Sequence, residues 1–179
     1  MKLTRVERLL LSNQYLILEA LYPKDAKSYA RCREAIECGY ELEYKTISQH
    51  VYNDEDTLSE SECNEVLDIL CMFDELGYWY GEVKDKEGVD KGDITFEGFD
   101  GNDSQEVKYL AFARYICEGS GKPFSRAIKK PTDLYNSHIM MLPVYRRMSE
   151  EWKRTENKRQ LDKKDILRII GARAYPTNR

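Results

Sequence analysis

TRVERLLLSNQYLILEAL, Thr4–Leu21, reads as one amphipathic helix with a marked start. Thr4 and Glu7 form a capping box. The Thr4 hydroxyl accepts from the third backbone N–H of the helix, and the Glu7 carboxylate reaches back to the Thr4 amide. Val6, Leu10, Ile17 and Leu21 fall on one stripe at helical spacing, which predicts a face turned to a core. Asn13 lies on that stripe, midway between Leu10 and Ile17. A buried amide needs partners or costs about 1–3 kcal/mol. Asn13 is therefore expected to bond inside the core or to face a cavity.

The rest of the chain continues helix after helix. Tyr22-Pro23 breaks the first, and a second spans about Lys24 to Cys38, with Gly39 as a left-handed stop. A short helix is expected within Glu41–Val51, then an acidic loop at Asn53–Asp56. Ser59 and Glu62 form a second capping box. Cys63, Val66, Leu67, Leu70 and Phe73 follow at helical spacing, so that helix should reach at least Leu76. Val83–Gly92 reads as a loop. Asp93–Phe99 (DITFEGF) is the one extended segment, with Ile94 and Phe96 alternating before a Gly98 and Asp100-Gly101 turn. Asp103 and Glu106 start the next helix, apolar on nearly every side to Cys117, which predicts a central position. Phe96 and Phe99 should anchor the extended segment against it. Gly119–Lys130 is a basic loop. Met141, Tyr145, Met148 and Trp152 mark a further helix with Pro143 near its start. Asp162 caps a last one that Gly171 ends. The reading is mainly α: a single multi-helix domain over residues 1–171, one short extended segment near 93–99, and a frayed tail at 172–179.

The 179 residues suffice for a real core, and 41% hydrophobic with 34% charged residues is a folded, fairly polar composition. The net charge of −4 hides a strong segregation. Residues 1–52 carry +1, residues 53–106 carry −15, and residues 107–179 carry +10. The acidic middle and the basic end are expected to pair within one subunit or between subunits. A basic patch for nucleic acid, built on the run from Arg146 to Lys164 with Trp152 for stacking, is the alternative. Glutamates interleave that run, however, and fit intrahelical charge pairs. No apolar run approaches the roughly twenty residues of a membrane span, and no leader is expected. A cytoplasmic protein without membrane attachment follows. Five cysteines, an odd number without a CxxC pair, read as buried free thiols. His50 and His138 lack metal-ligand spacing, so no metal and no cofactor are expected.

Several blocks carry a resemblance. RLLLSNQYLIL (Arg8–Leu18), the Tyr29…Gly39-Tyr40 helix end and ITFEGFD (Ile94–Asp100) are three of them. Tyr109-Leu110 with Arg114, and YRRM…W (Tyr145–Met148, Trp152), complete the set. Together these blocks resemble the YfbU family of bacterial proteins along nearly the whole chain. The resemblance implies a mainly helical fold with no assigned reaction, metal or cofactor. Some relatives carry the domain beside a helix-turn-helix, which implies a ligand-sensing or regulatory role. This chain starts at the domain, so no separate DNA-binding module is expected.

Asn13 and Arg114 each break an apolar helical stripe, and a buried guanidinium needs an acceptor. An Arg114–Asp100 bond pinning the FEGFD turn is the structural expectation. A small anionic ligand on Arg114, oriented by Asn13 or Gln14, is the functional one. Asn13, Gln14, Asp100, Tyr109 and Arg114 are thus the candidate ligand-binding residues. The acidic cluster Asp54–Glu62 lacks the pattern of a calcium loop, and no nucleophile motif or phosphate-binding loop occurs. The expectation is a non-enzymatic regulatory or interaction domain that associates with itself. A hydrolase with an unrecognised site and a nucleic-acid-associated protein are the alternatives.

Overall fold

The computed structural model describes residues 2–119, 124, 128, 133–156 and 160–174. They contain seven α-helices and no β-strand, and the chain divides into two compact units, 1–56 and 57–179. In the first unit, α1 (Arg5–Leu21) and α2 (Ala26–Cys38) are followed by a 3-10 turn and the short α3 (Tyr44–Ile47). The second holds α4 (Glu60–Glu82), α5 (Glu106–Glu118), α6 (Leu142–Lys153) and α7 (Lys163–Gly171).

Both capping boxes form. Glu7 N–H donates to the Thr4 hydroxyl at 3.3 Å, and Thr4 N–H to Glu7 at 2.7 Å. Ser59 and Glu62 repeat this at 3.3 and 2.8 Å. Asp162 with Asp165 makes a third such box for α7. Gly39 ends α2 at φ 76°, the left-handed conformation that costs glycine least. The second capped helix runs past Leu76 to Glu82 and includes Tyr78–Tyr80.

Residues 57–179 are organised around aromatic rings. Tyr145 of α6 meets Phe73 of α4 at 5.0 Å between centroids, and Phe96 and Phe99 at 5.6 Å each. Phe99 also meets Tyr109 of α5 at 5.6 Å. Edge-on and tilted contacts of this kind add to the burial of large apolar rings. Phe99 therefore anchors against α5 as expected, whereas Phe96 packs on α4 and α6.

The 93–99 segment is not a strand. Its one ladder contact is an isolated parallel bridge between Phe99 and Asn136. Elsewhere its amides turn to nearby carbonyls and one side chain: Asp93 N–H donates to the Asp90 carbonyl, Thr95 N–H to that of Gly92, and Glu97 N–H to the Tyr145 hydroxyl at 3.1 Å. A row of alternating apolar residues therefore lies in the core without a sheet. Gly98 is required there. Its φ is +101°, and a Cβ would fall 1.9 Å from the Tyr135 carbonyl oxygen.

α5 is less central than its composition predicts. Tyr109, Leu110 and Ala113 are buried, but Val107 and Tyr115 are exposed. Most of the 119–130 loop and residues 175–179 of the tail lie outside the described residues.

Candidate functional site

The sequence-predicted ligand residues fall into both units: Asn13 and Gln14 in the first, Asp100, Tyr109 and Arg114 in the second. In the second unit, Tyr109 is fully buried and its hydroxyl donates to Glu65 at 2.7 Å. Burial and that carboxylate push the phenol far above its ordinary value. Arg146 grips the same Glu65 with two nitrogens, at 2.7 and 2.9 Å, and holds its carboxyl below the usual range. A bidentate pair of this kind fixes geometry as well as charge. Tyr109 is thus a strut joining α5 to α4 and α6.

Asp100 closes its own turn, accepting from Asn102 N–H at 2.9 Å. Arg114 does not bond it. Its guanidinium donates to the Leu134 carbonyl at 2.8 Å, while its buried Nε finds no partner among the described residues. The receiving segment is strained: Leu134, Tyr135 and His138 all have positive φ, rare for side chains of that size. Arg114 therefore pins the 133–138 loop, not the FEGFD turn.

The pin on the FEGFD turn is a residue the sequence reading took only for a helix start. Glu106 is 1% exposed, and its carboxylate accepts three backbone N–H bonds. They come from Asp100 at 2.8 Å, Met141 at 3.1 Å and Leu142 at 2.7 Å. The last two amides belong to the start of α6, where a negative charge meets the positive end of the helix. A buried glutamate without a basic partner in the sequence gives no signal of this role.

In the first unit the expectation for Asn13 is overturned. Asn13 and Gln14 are exposed, and so are Val6, Leu10, Ile17 and Leu21. The opposite side of α1 packs on α2. Ser12 is buried and donates to Glu37 at 2.7 Å, and Arg33 bridges Glu19 at 2.6 Å and Glu37 at 3.0 Å. Sequence periodicity located the apolar stripe but placed it on the wrong side, because polar bonds hold the buried side.

A half-open cleft of about 800 Å³ also lies within this unit, lined by Tyr15, Tyr29, Tyr40, Arg31, Cys32 and His50 among others. The Tyr15 and Tyr29 rings stand 6.2 Å apart. Burial and the neighbouring Cys32 push the Tyr15 phenol up.

The five thiols are free, none is fully buried, and Cys38 is exposed. Burial pushes Cys117 up to about 11, so it is poorly nucleophilic. Among the described residues no group of three His, Cys, Asp or Glu side chains is placed to hold a metal ion. No described helix is long and apolar enough to cross a membrane.

Part of the basic end pairs with the acidic stretch. Arg146 pairs with Glu65, Lys153 with Asp68 at 2.5 Å, Lys163 with Asp85 at 2.6 Å, and Arg173 with Glu97 at 2.5 Å. Each of these joins the +10 segment to the −15 segment inside one chain.

The YfbU domain matches residues 1–172. The chain belongs to the YfbU family. A UPF0304 protein of Methanocaldococcus jannaschii is 40% identical over 175 residues, covering 95% of this chain and 99% of that protein. The family match spans both compact units.

Proposed function

We propose that this YfbU protein is a non-enzymatic helical interaction domain whose working state is a homo-oligomer. The observation that carries this reading is the exposed apolar face of α1. Soluble monomers seldom leave contiguous apolar patches beyond a few hundred Å² open to water. The charge segregation that first suggested association supports it less, since the pairs named above neutralise within one chain. Light scattering tests the reading: the parent should exceed the 21.0 kDa of one chain. Leu16→Glu should return it towards that mass while leaving the helical circular dichroism unchanged.

A small charged ligand is the second reading, favoured by the first-unit cleft. Its volume lies within the roughly 300–1,000 Å³ of ordinary ligand sites. Arg31 and His50 offer donors to an anion, and tyrosines offer flat apolar walls. Glu34 and Glu43 share the lining, so a ligand carrying both signs fits better than a bare anion. Titration of tyrosine fluorescence with benzoate and with the zwitterion 4-(aminomethyl)benzoate, in parent and Arg31→Ala, tests it. Saturable quenching lost in the variant is the expected result, and no quenching in the parent contradicts it.

A further inference from the structure

The exposed face of α1 is symmetric about its own midpoint. α1 runs from Arg5 to Leu21, so Asn13 is its central residue. At 3.6 residues per turn, Val6, Leu9, Leu10, Leu16, Ile17 and Ala20 all point within about 60° of the Asn13 direction. All seven are exposed, and the five large apolar ones are between 48% and 67% accessible. The face therefore contains six apolar residues and one amide, with no charge.

The spacing reads the same from either end. Counted from Asn13, apolar residues stand at three, four and seven positions on each side. Val6 answers Ala20, Leu9 answers Ile17, and Leu10 answers Leu16. A two-fold interface requires such self-complementarity, because residue i meets residue j while j meets i. An antiparallel helix pair with its axis at residue 13 supplies it.

We infer that α1 pairs antiparallel with α1 of a second copy of this chain, with Asn13 of each copy facing the other across the two-fold axis. The inference rests on the self-association proposed above and names its surface. Asn13 is then explained. One carboxamide donates and accepts at once, so two identical ones across an axis satisfy each other. A single polar residue in an apolar helix seam fixes register at some cost in stability. The nearest charged residues, Arg5, Glu7 and Glu19, lie to the sides of the stripe, so no like charges meet across it. A stable dimer buries roughly 800 Å² on each partner, or about eight half-exposed large side chains at roughly 100 Å² each. Val6, Leu9, Leu10, Leu16, Ile17 and Asn13 supply six of these, and exposed Leu21 beside them a seventh.

Cysteine cross-linking tests the pairing, with linked peptides identified by mass spectrometry so that native thiols do not confuse the outcome. Leu9→Cys chains mixed with Ile17→Cys chains should form a 9–17 link between chains on oxidation. Leu9→Cys alone should give no 9–9 link. A dominant 9–9 link means a parallel pair and overturns the inference. So does a link from either new thiol to a native cysteine of the same chain, which would mean that α1 is covered internally. If light scattering shows a multiple of 21.0 kDa but no 9–17 link forms, self-association stands and the α1 pairing fails. If the mass is that of one chain, both fail. As an independent measurement, Asn13→Asp places two carboxylates together on the axis and should weaken association at least tenfold at neutral pH. Unchanged association contradicts the pairing.

Discussion

The two units carry almost the same charge balance and solve the problem of a core very differently. Residues 1–56 hold 8 basic and 10 acidic residues, and residues 57–179 hold 20 and 22. Among the described residues, 23 buried apolar residues form one cluster in the second unit. The first has only Ala35, Ile36 and Tyr44. Its α1–α2 pair is held largely by Arg33, Glu19, Glu37 and Ser12, while its best apolar stripe faces water. Segments this short rarely bury enough apolar area to stand alone. The second unit buries a contiguous apolar cluster, and the first leaves its apolar stripe exposed.

The largest break in that contrast should come from the aromatic core. Phe96→Ala removes a ring packed on Phe73, Phe99 and Tyr145 and should cost about 3–5 kcal/mol. Urea unfolding followed by tyrosine fluorescence will show it; an unchanged midpoint would place the anchor elsewhere. Glu106→Ala comes next. It strands three buried amides and should cost about 3 kcal/mol, with Glu106→Gln losing less because one carbonyl oxygen remains. Equal midpoints for parent and Glu106→Ala would contradict the pin.

The Glu65 pair sharpens the comparison through pH. Its folded carboxyl lies below the ordinary value of 4.5, chiefly because Arg146 bonds it. The stabilisation is therefore present above about pH 4.5 and lost as pH falls through the folded value. Glu65→Gln should be less stable than the parent at pH 7, and the gap should narrow as pH falls below 4.5. A gap independent of pH would mean that the charge of Glu65 is not what matters. The smallest effect is expected from Leu16→Glu on the unfolding of the second unit, within about 0.5 kcal/mol, as for ordinary surface changes. A larger loss would mean that α1 supports that unit directly.

Helix positions were legible in the sequence wherever local chemistry decides them. Thr4, Ser59 and Asp162 start helices and Gly39 ends one as read, since a cap depends only on neighbours a few residues away. In Asp93–Phe99 the alternation marks burial, and that burial comes from packing Ile94 and Phe96 among helices without a sheet. Of the candidate site, Arg114 is visible in the sequence as a charge on an apolar stripe, and Tyr109 only as a member of one. Their partners, the Leu134 carbonyl and Glu65, are not, because those contacts bridge 20 and 44 residues. The side of α1 that faces water was misassigned for a related reason: polar bonds to α2 override the apolar stripe.

The salt dependence of the assembly tests the central claim most directly. If the charges are neutralised within each chain and α1 supplies an uncharged seam, sedimentation at micromolar concentration should give at least twice the 21.0 kDa chain mass, unchanged between 50 mM and 1 M sodium chloride. A mass of 21.0 kDa throughout, or a larger one that falls as salt rises, would contradict it.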